Sequence, residues 1–205
     1  MAGTGPYRGE AVPLDAEELD RGRRSVLAGR TEADGLWLFG YGALLWAPHE
    51  AFDAVERARL SGWRRSFCQW SVLARGTPAR PGLGLALVPG EGVEGLALHL
   101  PEAALDTAFA RIWRMEMYAG LYRPAWAEAA PLDGGPALRA LAFVAEPSHP
   151  QYAGELSRAE QVSAIREAVG ENGSCRDYLA QTVEALTRWR LRDRELEALL
   201  AEVDR

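Results

Sequence analysis

Two places in this chain carry residue types and spacings that suggest chemistry: a carboxylate set in an apolar stripe, and an apolar run broken by glycines. Glu116 follows Leu105, Phe109 and Ile112 at steps of four, three and four. At about 100° per residue, that spacing puts the acid on the same helix face as the three apolar residues, pointing toward the core. An apolar site disfavours the charged form and can raise a carboxyl pKa by ~3–5 units, into the range where a general acid or base works near neutrality. A buried acid is equally accounted for by an ion pair, and Arg64, Arg75, Arg80 and Arg123 are the cations that could supply one. Both readings stay open at this point.

The second place is Leu36-Trp37-Leu38-Phe39-Gly40-Tyr41-Gly42-Ala43-Leu44-Leu45-Trp46. It reads as a buried strand that ends in a bare, tight turn. Glycine tolerates positive φ and lets another group approach the backbone closely, so Gly40 and Gly42 can present consecutive N–H groups as a small anion-binding concavity. The same pattern also serves a turn that is simply packed on a helix.

Other chemistries find no support. Cys68 and Cys175 are far apart and form no CxxC pair, which suits two small buried apolar groups better than a redox or nucleophilic pair. His49, His99 and His149 match no ligand spacing, so no metal site is expected. Gly90, Gly92 and Gly95 formally match G-x-G-x-x-G, but the segment Gly95 to Leu100 has the character of a strand. A dinucleotide fingerprint has to open a helix instead.

Composition sets the outer bounds. The chain has 205 residues, of which 48% are hydrophobic and 25% charged, as expected for one ordinary globular core. Its net charge of −6 argues against a nucleic-acid partner, because phosphate binding draws on a basic surface. There is no lysine, so every fixed side-chain cation is an arginine, a residue suited to bidentate carboxylate recognition. No apolar run is long enough to span a bilayer. The start, Met1 to Pro6, lacks the basic and then apolar character of a secretory signal, and a cytoplasmic location is the expectation. Oligomeric state is not specified.

The elements that must position Glu116 and the turn can be read from caps and periodicity. Asp15 and Glu18 resemble a capping pair for a helix reaching Ala28, with Gly29 beyond it. A strand covers Leu36 to Phe39, and extended structure with a bend near Gly62 covers Ala58 to Leu73, succeeded by a loop from Arg75 to Gly82. Leu83 to Val88 and Val93 to Leu100 read as two strands of a hairpin turning at Gly90-Glu91-Gly92. The helix bearing Glu116 is expected from Pro101 to Tyr118, stopped by Gly120. Strands at Ala125 to Ala130 and Leu138 to Ala145 flank the turn Asp133-Gly134-Gly135-Pro136. Helices then start at Ser157 with Glu160, at Ser174 with Asp177, and at Asp193, ending near Gly170, near Leu191 and close to the C-terminus. Strands in the middle and helices at the end indicate an α+β domain.

Five separated stretches resemble the ChaC-type gamma-glutamylcyclotransferases: Phe39 to Trp46; Arg75-Gly76-Thr77-Pro78 with Pro81-Gly82; Trp113-Arg114-Met115-Glu116-Met117; His149 to Gly154; and Cys175-Arg176-Asp177-Tyr178-Leu179. They occur in the family's order between about Leu36 and Leu191. The resemblance implies a small, partly closed β-barrel with flanking helices and a helical C-terminal part, spanning residues 34–205 behind an extension of residues 1–33. It implies cleavage of glutathione to 5-oxoproline and cysteinylglycine without a cofactor. Carried over by position, Glu116 would be the catalytic acid/base, and Tyr41, Gly42, Ala43 and Leu44 would hold the gamma-glutamyl group through backbone amides. Arg75 and Tyr152 would contribute to substrate binding. The family's turn usually reads Tyr-Gly-Ser-Leu, and this chain has Ala43 at the third position. That departure leaves room for two other readings, a cyclotransferase for another gamma-glutamyl amide or amine and a non-catalytic gamma-glutamyl-binding module.

Overall fold

A computed structural model describes residues 13–31, 34–46, 51–154 and 156–205. His49 lies outside them. The chain divides into two compact units. One comprises the described residues up to Arg65 together with Leu87–Glu146, and the other comprises Ser66–Ala86 with Pro147–Arg205.

The first unit is built on a barrel. Its strands are β1 (Gly35–Gly40), β2 (Ala54–Ser71), β3 (Gly82–Pro101), β4 (Tyr122–Pro131) and β5 (Leu138–Ala145), where β2 and β3 run on in sequence past its boundaries. The order β1-β3-β2-β4-β5 closes on itself, so the ring is complete where a partly closed barrel was expected. Closure follows from β1, which pairs antiparallel with β3 from Gly35↔Pro101 to Gly40↔Leu96 and parallel with β5 at Trp37↔Ala140 and Leu38↔Leu141. A strand with neighbours on both sides inside a closed ring reads as a nearly continuous apolar run, which is why Gly35–Gly40 shows no alternation. Leu36, Leu38, Leu60, Leu96, Leu98 and Phe143 are fully buried in this core.

β3 corrects the expected hairpin at Gly90-Glu91-Gly92, because it is one strand of 20 residues. The glycines there serve close packing, not reversal. A Cβ on Gly90 would stand 2.7 Å from Cβ and Cγ of Arg64, and one on Gly92 would stand 2.6 Å from the Arg59 guanidinium. The G-x-G-x-x-G match therefore lies within a strand and opens no helix.

The bend near Gly62 is present: Gly62 has φ 81°. Across it the buried positions of β2 change from the even residues Ala58 and Leu60 to the odd residues Arg65 and Phe67. A one-residue change of phase is what a bulge produces, and it turns Arg65 inward.

The expected helix from Pro101 to Tyr118 is three consecutive pieces. A 3₁₀ turn, Glu102–Ala104, leads into a π-helical turn, Leu105–Phe109, and then α2, Ala110–Met117. Gly120, at φ 67°, ends the run as expected, and its N–H donates to the Met117 carbonyl at 3.0 Å. The N-terminal helix α1, Ala16–Ala28, carries the capping box of Asp15 and Glu18. It buries none of its own residues but packs on α2, where the Trp113 indole N–H donates to the Leu19 carbonyl at 2.8 Å.

The second unit is helical: α3 (Arg158–Glu167), the short strands β6 (Val169–Gly170) and β7 (Gly173–Ser174), α4 (Cys175–Arg188) and α5 (Arg194–Val203). The expected caps are in place, a capping box at Ser157 with Glu160 and single caps at Ser174 and Asp193. α3 stops at Glu167, short of the expected Gly170, because Val169–Gly170 pairs with Gly173–Ser174. No helix among the described residues is long and apolar enough to cross a membrane.

Candidate active site

β1 delivers the glycine turn. Gly40 is the last residue paired with β3, after which the chain doubles back so tightly that a Cβ on Gly40 would lie 3.2 Å from Leu44 Cβ and 3.2 Å from Leu98 Cδ1. Neither Gly40 nor Gly42 has a positive φ, so the expected left-handed freedom is not what glycine supplies here. Close approach is what it supplies at position 40.

Ala43–Leu45 then form a single 3₁₀ turn, in which the Leu45 N–H donates to the Gly42 carbonyl at 2.8 Å and the Trp46 N–H to Ala43 at 3.2 Å. The leading amides of a helical turn have no acceptor behind them. Among the described residues, the N–H groups of Gly42, Ala43 and Leu44 accordingly have no protein acceptor. Ala43 is exposed.

Tyr41 fixes this turn from two sides. Its ring is buried, and its hydroxyl donates to the Phe143 carbonyl on β5 at 2.6 Å. Its own carbonyl accepts from Arg65 Nε at 2.7 Å. Arg65 is only 7% exposed, and its Nη2 also donates to the Glu94 carbonyl at 2.5 Å.

Glu116 sits on α2 one turn beyond Trp113. The buried stripe below it is Leu105, Phe109 and Ile112, joined by Trp113 and Met117. The residue as a whole is only partly covered, yet burial of its carboxyl pushes the pKa from 4.5 up to about 7. No opposing charge or hydrogen bond contributes to the shift. Among the described residues Glu116 makes no ion pair and no hydrogen bond, so the arginine partner that sequence left open is not found there.

The turn and the Glu116 helix share a support. Tyr41 bonds the backbone of Phe143, while the Trp113 ring packs on the Phe143 ring with centroids 6.0 Å apart.

Arg75 and Tyr152 belong to the second unit and have contacts of their own. The Arg75 guanidinium donates to the Asn172 carbonyl and lies 4.9 Å from the Tyr178 ring centroid. Its loop is held by tight glycine packing, since a Cβ on Gly82 would come within 2.2 Å of the Arg75 carbonyl oxygen. Tyr152 makes an isolated antiparallel bridge with Gln69, and its N–H donates to the His149 carbonyl at 2.8 Å.

The cysteines are buried as expected. Cys175 donates to the Leu83 carbonyl at 3.1 Å, and burial pushes its thiol up to about 11, which keeps it a protonated structural group.

Sequence reasoning misses Arg65. The signal is present as a glycine bend in a strand three residues before an arginine, but only a known phase change at Gly62 turns Arg65 from the outer face to the inner one.

A closed five-stranded barrel with flanking helices is the fold of the gamma-glutamyl cyclotransferases. A yeast gamma-glutamyl cyclotransferase specific to glutathione, in selenomethionine form, superposes with a TM-score of 0.75 at 21% identity, covering 83% of this chain and 96% of that one. The chain belongs to the ChaC-like protein family, whose profile matches residues 36–205. The glutathione-specific gamma-glutamylcyclotransferase of Escherichia coli K12 is 34% identical over 194 residues, 95% of this chain and 84% of that protein. The Homo sapiens glutathione-specific gamma-glutamylcyclotransferase 1 is 31% identical over 147 residues, 69% of this chain and 66% of that protein.

Proposed function

We propose that this protein is a gamma-glutamylcyclotransferase that cleaves glutathione into 5-oxoproline and cysteinylglycine. The observation that carries the reading is the Glu116 carboxyl: desolvated, without an ion-pair partner among the described residues, and poised near pH 7. A group with its pKa at the working pH can take a proton and return it within one cycle.

The α-amine of the gamma-glutamyl group attacks its own side-chain amide carbon, so the nucleophile belongs to the substrate and no serine or cysteine is required. Glu116 removes a proton from the amine as the new C–N bond forms. The carbonyl oxygen becomes an oxyanion, for which backbone N–H groups are suitable donors, an interaction worth about 2.7–4 kcal/mol per donor in comparable sites. Collapse of the tetrahedral species breaks the bond to the cysteine nitrogen, and Glu116 returns the proton to that nitrogen. The lactam leaves as 5-oxoproline. The amides of Gly42, Ala43 and Leu44 hold the gamma-glutamyl part of the substrate. Residues 34–205 carry the activity, with residues 1–33 as an extension whose helix braces α2. The E. coli relative aligns over 95% of the chain, which includes α1, and supports a role for that helix in the enzyme itself. A cytoplasmic location suits an enzyme of this substrate.

Ala43 favours a second reading, a different gamma-glutamyl amide or amine as substrate. Incubating purified protein with glutathione and with a panel of gamma-glutamyl amides and amines, then measuring 5-oxoproline, decides between them. Release from glutathione is expected. Release only from another compound would establish the second reading, and binding of glutathione without turnover would identify a non-catalytic module.

A further inference from the structure

We infer that Arg65 is a positioning residue for the substrate-binding turn, a buried cation that fixes the direction of the Gly42, Ala43 and Leu44 amides by holding the carbonyl of Tyr41. The inference rests on the assignment of that turn to gamma-glutamyl binding. Three observations support it. Arg65 is almost fully buried, and a guanidinium is removed from water only where acceptors replace its hydration. Two of its acceptors are backbone carbonyls on different segments, Tyr41 at 2.7 Å and Glu94 at 2.5 Å, so one rigid fork ties the turn to β3. The buried positions of β2 change phase across Gly62, whose φ of 81° other residues rarely adopt, and that change puts Arg65 on the inner face.

This arrangement does more than pack. Tyr41 is held at its hydroxyl by the Phe143 carbonyl and at its own carbonyl by Arg65, so neither end of the residue can swing. The next three amides then leave a fixed plane. A carbonyl that donates electron density to a cation also polarises its own peptide, which makes the N–H of Gly42, on the other side of that peptide bond, a stronger donor toward an anionic group. The fixed positive charge behind the turn acts in the same direction. Arg65 touches no reacting atom and acts through the turn.

Arg65→Met keeps much of the volume and removes the donors, and Arg65→Lys keeps the charge but cannot span both carbonyls. With glutathione, Arg65→Met should raise KM about tenfold or more, with kcat changing far less and the pH dependence of kcat unmoved. Arg65→Lys should fall between it and the native protein. Hydrogen exchange at the Leu45 and Trp46 amides, which are bonded to the Gly42 and Ala43 carbonyls, should accelerate in both variants while the rest of the barrel keeps its protection. A folded Arg65→Met variant with native KM and native exchange at these amides overturns the inference. If Arg65→Met does not fold, Arg65→Lys decides alone, and native KM and exchange in that variant overturn it as well. If the native protein turns over no gamma-glutamyl compound, the functional reading falls instead, and exchange at Leu45 and Trp46 still tests the clamp: unchanged rates in both variants reject it.

Discussion

At the scale of single residues, the ionisation of Glu116 gives a stability signature that separates it from a structural ion pair. Its pKa in the folded protein, about 7, lies above its ordinary 4.5. Between those values the folded state binds more protons than the unfolded state, so stability falls as pH rises from 4.5 toward 7 and stays at the lower level above it. The shift bounds the effect at about 3 kcal/mol. Glu116→Gln, which cannot ionise, should therefore unfold at a higher temperature than the native protein at pH 8 and at nearly the same temperature at pH 4.5. A variant destabilised at pH 8 would mean that Glu116 is paired. Ala43 offers a second residue-scale test. Because it is exposed on the turn, Ala43→Ser should leave the melting temperature within about 1 °C and change KM or substrate preference by a few-fold, as kinetics on glutathione and other gamma-glutamyl compounds would record. An inert native protein rescued by this serine would mean that the hydroxyl, not the amides, does the binding. Glu116 was legible in sequence because helical phase is a local property. Its lack of a partner among the described residues was not, since four arginines could have reached it and only the fold chooses among them.

Elements were legible wherever their ends are written in side chains. The caps at Asp15, Ser157, Ser174 and Asp193 all form, because a capping hydrogen bond spans three residues and owes nothing to distant structure. The long strand β3 reads as a hairpin because glycine serves reversal and close approach alike, and Arg59 and Arg64 cannot be seen from positions 90 and 92. The π-helical turn before α2 leaves no mark in composition either. The C-terminus of α4 yields a prediction at this scale. Arg190 has φ 57°, with its N–H donating to Thr187 and the Leu191 N–H donating to Leu186, the pattern of a Schellman motif whose left-handed residue is normally glycine. Arg190→Gly should stabilise the protein by about 0.5–1 kcal/mol, since it removes the strain of a side chain in that conformation and gives back part as unfolded-state entropy. Thermal denaturation would show a rise in midpoint, and an unchanged or lower midpoint would mean that Arg190 makes compensating contacts.

For the whole molecule, composition and element order led to an α+β domain, but strand order did not follow from them. That β1 lies between β3 and β5, antiparallel to the first and parallel to the second, depends on pairings between residues 56 to 103 positions apart. The motif order carried the fold class instead, and the family match over residues 36–205 covers the same stretch. The central claim is that Glu116 moves the proton in gamma-glutamyl transfer to the substrate's own amine. Measuring 5-oxoproline release from glutathione by the native protein and by Glu116→Gln, with the melting temperature taken on the same preparations, tests it directly. The variant should stay folded while its turnover falls by roughly 10²–10⁴. A folded Glu116→Gln protein that releases 5-oxoproline at the native rate would contradict the claim.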